Sequence, residues 1–193
     1  MEKNIREKWF KKHKANYVEV NDDLKILEWK RPETSYMSIR YVMDKNNVYI
    51  TGDLGSAVLC LTSKASLERL SDYSLYYFSK KIVAMEQDKF DFDSEKAIEE
   101  LKELFKDWWS IDMDSEVDEE YKKYKEVLGM LISGADECSG PNNWVDFVNL
   151  NYTDIESVDP DCHEWVYDVG METSIYVKAY LIGIKMAYEQ IFG

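Results

Sequence analysis

Histidine, cysteine and proline are scarce in this sequence of 193 residues, at two, three and three. Neither of the two histidines, His13 and His163, stands near an exposed serine or cysteine motif, which leaves too little for a nucleophile-base pair. Cys60, Cys138 and Cys162 are odd in number and include no closely spaced pair, which excludes a disulfide framework. They are expected as free thiols. No linker rich in proline, glycine or serine interrupts the chain, and no internal repeat is visible, so residues 1–193 read as one domain. The charged N-terminus is followed by no apolar run, so it is not a secretory signal. A reducing cytoplasm is the expected compartment.

Positive charge is missing where negative charge is dense. Residues 134–177 contain no lysine or arginine against ten acidic residues. Residues 86–126 carry 7 basic and 16 acidic residues, whereas residues 1–85 carry 15 and 11. The whole chain has a net charge of −14. A polyanionic half repels nucleic acid, whose binding works by neutralising phosphates with lysine and arginine. It attracts basic protein surfaces and speeds encounter with them. The same charge also keeps a protein soluble, its ordinary role.

What is abundant is apolar and aromatic. A hydrophobic content of 45%, with 14% aromatics, excludes a disordered chain. The stretch 173–192, TSIYVKAYLIGIKMAYEQIF, carries only Lys178, Lys185 and Glu189 as charges. Its apolar residues surround the helix on nearly every side, which marks a helix buried in a core. Lys178, Lys185 and the tyrosines argue against a membrane span. Ala179, Gly183 and Ala187 are expected to meet another element closely.

The first part of the chain reads as strands at 17–20, 24–29, 36–43, 48–51 and 57–62, with turns at 21–23 and 44–47. Residues 2–16 form a short helix or a loose basic arm. Helical spacing follows at 64–70, 74–87, 94–108 and 115–133, the last opened by a Ser115/Asp118 capping pattern and stopped by Gly134. In the 94–108 helix the apolar stripe includes Trp108. A short helix is expected at 142–150, and an acidic loop at 150–169. Strands first and helices second make an α+β fold: an antiparallel sheet of four or five strands packed against helices.

Chemical motifs are few. Gly52–Ser56 pairs two glycines in a turn, but it lacks the lysine and third glycine of a phosphate loop and a strand follows it. A tight hairpin connection explains it. The run Asp159, Asp161, Cys162, His163 and Glu164 gathers metal-ligand types, yet adjacent Cys162 and His163 rarely face one ion. Asp112, Asp114 and Glu116 alternate as in a calcium loop without the glycine that loop needs. No metal, cofactor or catalytic residue is expected.

Three segments carry a resemblance: VYITGDLGSAV at 48–58, YSLYYFSKK at 73–81 and AYLIGIKMAYEQ at 179–190. With them the chain resembles, over about residues 36–192, a group of small proteins of phages and mobile elements, largely without assigned activity. The shared motifs look structural, so the resemblance implies origin more than mechanism. Small acidic phage proteins that act by binding often block host defence, as anti-CRISPR proteins do. The expectation is a non-enzymatic inhibitor in the bacterial host cytoplasm that binds a CRISPR effector through its acidic surface. CRISPR effectors hold nucleic acid in positively charged channels. The carboxylates expected to serve are Glu99, Glu100, Glu103 and Asp107, then Glu116, Asp118, Glu119 and Glu120, then Asp154, Glu156, Asp159 and Asp161. Tyr76, Tyr77 and Trp109 are the aromatic anchors. Two other readings stand beside this one. One is a small enzyme or ligand-binding domain using Gly52–Ser56 and Asp159–Glu164, and the other an oligomeric phage accessory protein.

Overall fold

The computed structural model describes residues 1–111 and 121–193. The architecture is α+β, and the main sheet is N-terminal. Where the sequence suggests one domain, the chain divides into two compact units. Met1–Lys89 and Thr173–Gly193 form the first, and Phe90–Glu172 the second.

The first unit is built on a six-stranded antiparallel meander: β1 (Lys14–Glu19), β2 (Leu24–Arg31), β3 (Thr34–Asp44), β4 (Asn47–Gly52), β5 (Ala57–Cys60) and β6 (Ile82–Met85). Alternation fixes its register, since successive side chains in a strand point to opposite faces. Trp29 pairs Ile39, Leu27 pairs Tyr41, Tyr41 pairs Ile50 and Val48 pairs Leu59, and all of these are buried. They make one apolar face. Helix α8 (Ile175–Phe192) buries Ala179, Tyr180, Gly183 and Ile184 in the same core. The Tyr41 hydroxyl donates to the Tyr180 carbonyl at 2.8 Å, and the Tyr180 hydroxyl donates to the Leu54 carbonyl at 2.8 Å. Burial raises the Tyr41 hydroxyl well above its ordinary pKa and pushes Tyr180 up to about 12, so both donate as neutral phenols.

Residues 2–16 are not a loose arm. Helix α1 (Glu2–Asn4) runs into a single π-helical turn over Ile5–Trp9, and Ile5 and Phe10 are buried. Helices α2 (Leu67–Ser71) and α3 (Leu75–Lys81) are capped by Ser66 and Ser74. The predicted helix over 74–87 stops at Lys81, and Ile82–Met85 becomes the sixth strand, beyond the four or five expected.

The second unit opens with β7 (Phe90–Phe92), which pairs with β8 (Met171–Thr173). Between them lie α4 (Ser94–Trp109), α5 (Lys122–Glu137), α6 (Pro141–Leu150) and α7 (Tyr152–Glu156). Pro141 occupies the first turn of α6, where its missing N–H costs nothing. Two expectations fail here. Gly134 does not end its helix but is buried inside α5, against the Phe147 ring. The acidic stretch 150–169 is not a loop throughout. It contains α7 and a 3₁₀ turn at Cys162–Glu164, and it contributes Ile155, Val158, Cys162, Val166 and Val169 to the core. The expected helix start at 115–121, with its Ser115/Asp118 cap, falls largely outside the described residues. Among the described residues no helix is long and apolar enough to cross a membrane.

Candidate partner-binding surface

The division into units sorts the charge. The first unit has 18 basic and 14 acidic residues, net +4; the second has 6 and 24, net −18.

Helix α4 shows how the second unit presents its acids. Asp93 caps the helix, accepting from the Lys96 N–H at 3.0 Å. Ala97, Leu101 and Phe105, four residues apart, are buried. Glu99, Glu103 and Asp107 recur at the same spacing on another face and are exposed. Glu100 departs from expectation. It is half-buried, accepts from the Gly170 N–H at 2.8 Å and pairs with Lys96 at 3.4 Å, so it holds the unit together.

The apolar spacing of four continues from Phe105 to Trp109, not to Trp108. Trp109 is half-buried and stands edge-on to Phe105 at 4.8 Å. Trp108, predicted in the stripe, is 56% exposed. The two tryptophans therefore exchange their expected places. Ser110, at φ 57°, ends the helix by donating back to the Phe105 and Lys106 carbonyls. Trp108 stands 5.5 Å from Trp109 and 6.0 Å from Trp165, and Trp109 stands 5.6 Å from Tyr124. Tyr121 continues the row at 5.9 Å from Tyr124. The result is an aromatic ridge beside the α4 carboxylates. Sequence reasoning missed Trp165 and Tyr124 in it, because nothing local shows that two distant segments meet.

Asp159 is a second departure. It accepts the Trp165 indole N–H at 2.7 Å and the Asp161 N–H at 3.1 Å, which fixes the ridge's edge. Asp154, Glu156 and Asp161 are exposed. Glu116, Asp118, Glu119 and Glu120, and with them the Asp112/Asp114/Glu116 pattern, lie outside the described residues.

Tyr76 and Tyr77 belong to the first unit. Tyr76 is 67% exposed, yet Lys80 sits over its ring at 4.3 Å, and Lys81 over Tyr77 at 4.8 Å. With these lysines they form a basic patch on α3.

In the two stretches of the enzyme reading, Gly52–Gly55 closes a turn, and Asp159 and Cys162 serve packing, while Asp161, His163 and Glu164 are exposed. At Gly52, φ is 147° and a Cβ would stand 2.2 Å from the Ser38 carbonyl oxygen, so the turn needs glycine for close approach. The Asp53 N–H donates to Ser38 at 2.9 Å, and the Asp53 carboxylate accepts the Met37 N–H at 2.7 Å. The Gly55 N–H turns inward to the Gly52 carbonyl at 3.2 Å. These groups close the hairpin. Cys162 is buried while His163 is exposed, and burial pushes the Cys162 thiol up, away from the thiolate a metal needs. All three cysteines are free. Among the described residues no three histidine, cysteine, aspartate or glutamate side chains gather as a metal site. No protein-family model, characterised protein or solved structure matches the chain.

Proposed function

We propose that the protein is a non-enzymatic, phage-encoded inhibitor that binds a nucleic-acid-binding host defence nuclease, and that a CRISPR effector is its target. The observation that carries this reading is the −18 charge of the second unit, with Glu99, Glu103 and Asp107 exposed on α4 beside an aromatic ridge whose Trp108 and Tyr121 are exposed. Carboxylates pair with the arginines and lysines that line a nucleic-acid channel. Tryptophan and tyrosine supply the anchoring contacts that charge alone does not. Glu99, Glu103 and Asp107 with Trp108 and Trp109 are the working residues, joined by Asp154, Glu156 and Asp161. Glu100 and Asp159 position this surface from within.

Association driven by exposed charge is screened by salt, over a Debye length of about 8 Å at 0.15 M. Raising ionic strength therefore slows binding more than it speeds release. The test is target cleavage by a panel of CRISPR effectors, with the protein added before or after the target DNA. The expected result is inhibition when it is added first and none when the target is already loaded. Indifference of every effector removes the inhibitor reading for that panel. Inhibition independent of order keeps the inhibitor and discards competition with nucleic acid.

A further inference from the structure

Lys178 and Lys185 interrupt an otherwise apolar helix, and the partner-binding surface makes no use of them. They stand two helical turns apart on one face of α8, with Leu181 and Ile182 between them. This face is distinct from the one that carries Ala179, Tyr180 and Gly183. All four residues line one cavity of about 360 Å³, closed by Leu75 at the start of α3 and by Met1 and Glu2. That volume falls within the range of small-ligand sites, about 300–1,000 Å³. Leu181 and Ile182 are only 4% and 6% exposed, so the floor is apolar.

The positive charge at the rim is set up by the fold. Lys185 and Glu189 have the i, i+4 spacing of a helical ion pair. Glu189 instead turns to Arg6, at 3.2 Å, and among the described residues Lys185 has no hydrogen-bond or ion-pair partner. The Lys178 ammonium lies 3.4 Å from the Met1 sulfur, at the Met1 end of the cavity. Glu2 is held by Arg6 at 3.0 Å.

We infer that this cavity binds a small amphiphile with one anionic head and a short apolar tail, of the medium-chain carboxylate type. The tail covers Leu75, Leu181 and Ile182. The head lies between two ammonium groups whose flexible stems let both reach it, since lysine acts as a mobile point charge and imposes no planar geometry. This inference is independent of the partner-binding reading.

The probe is decanoate, titrated below its micelle concentration by calorimetry, with decanol and decyltrimethylammonium in parallel. Saturable one-to-one binding of decanoate is expected, with decanol weaker by about tenfold and the cation not bound. Lys178→Met and Lys185→Met keep the apolar stem and remove the charge. Each should weaken decanoate by about fivefold or more while leaving decanol unchanged, and Lys64→Met should change neither. In a second arm, the protein should remain in the supernatant when phosphatidylglycerol vesicles are sedimented. Equal binding of decanoate and decanol, binding insensitive to both substitutions, absence of saturation, or co-sedimentation with the vesicles would each overturn the inference.

Discussion

A methyl group added at Gly183 would stand 2.7 Å from the Tyr41 hydroxyl oxygen and 3.1 Å from Trp29 Cδ1. Alanine gains roughly 1 kcal/mol over glycine in a helix, but here it meets a phenol already fixed by its bond to the Tyr180 carbonyl. Gly183→Ala is therefore expected to lower stability in urea unfolding, and Gly183→Leu to lower it by about 1–3 kcal/mol. Tyr41→Phe removes the clashing oxygen, so the double variant Gly183→Ala/Tyr41→Phe should be more stable than the two single effects sum to. Strict additivity would show that the two do not meet. His13 makes a second case. It is 1% exposed, packs between Phe10 and Trp29, and bonds through Nε2 to the Met37 carbonyl at 3.0 Å. Burial, with Arg31 nearby, lowers its pKa in the fold. Above an unfolded pKa of about 6.5 both states are neutral. Below it the unfolded chain takes a proton that the folded chain resists, so stability is lost as pH falls. The stability advantage of the wild type over His13→Gln should shrink from about pH 7.5 to about pH 5.5. An advantage that is constant or grows contradicts this burial account.

Helices α4 and α8 were legible because their spacing is long and regular, and in both the predicted start lies within two residues of the observed one. Segment 82–85 was not. Ile82, Val83 and Met85 fit a helical continuation of α3 as well as a strand, and a short apolar run does not discriminate. Pairing with β5 decides it, Leu59 opposite Ile82 and Val58 opposite Ala84. The Trp108/Trp109 exchange came from reading the stripe at spacing three where Ala97, Leu101 and Phe105 run at four. Gly134 looked like a stop because glycine commonly follows a helix end. Its actual reason is distant in sequence: a Cβ there would lie 2.2 Å from Phe147 Cζ. Gly134→Ala is thus expected to destabilise by about 1–3 kcal/mol despite its better helix propensity, and Phe147→Leu to recover part of that loss. A melting temperature raised by Gly134→Ala alone would show that the ring yields freely.

At the scale of the whole molecule, the sequence showed that charge is uneven but not that the unevenness follows structural units. Residues 173–193 return to the first unit across the length of the second, and no local pattern announces such a return. With them in place, the acidic residues of 90–172 become one body of charge −18. If the exposed acids of this body do the binding, an equal charge change placed in either unit should have unequal effects. Glu99→Lys/Glu103→Lys/Asp107→Lys alters the exposed face of α4 and spares its buried stripe, Glu100 and Asp159. Asp22→Lys/Glu33→Lys/Asp72→Lys makes the same change at exposed positions of the first unit. The measurement is inhibition of target cleavage by an effector that the wild-type protein inhibits, with each variant first shown to melt like the wild type. The α4 variant should lose inhibition by about tenfold or more while the first-unit variant keeps it. Equal loss in both variants, or full inhibition by the α4 variant, would contradict this binding role of the acids.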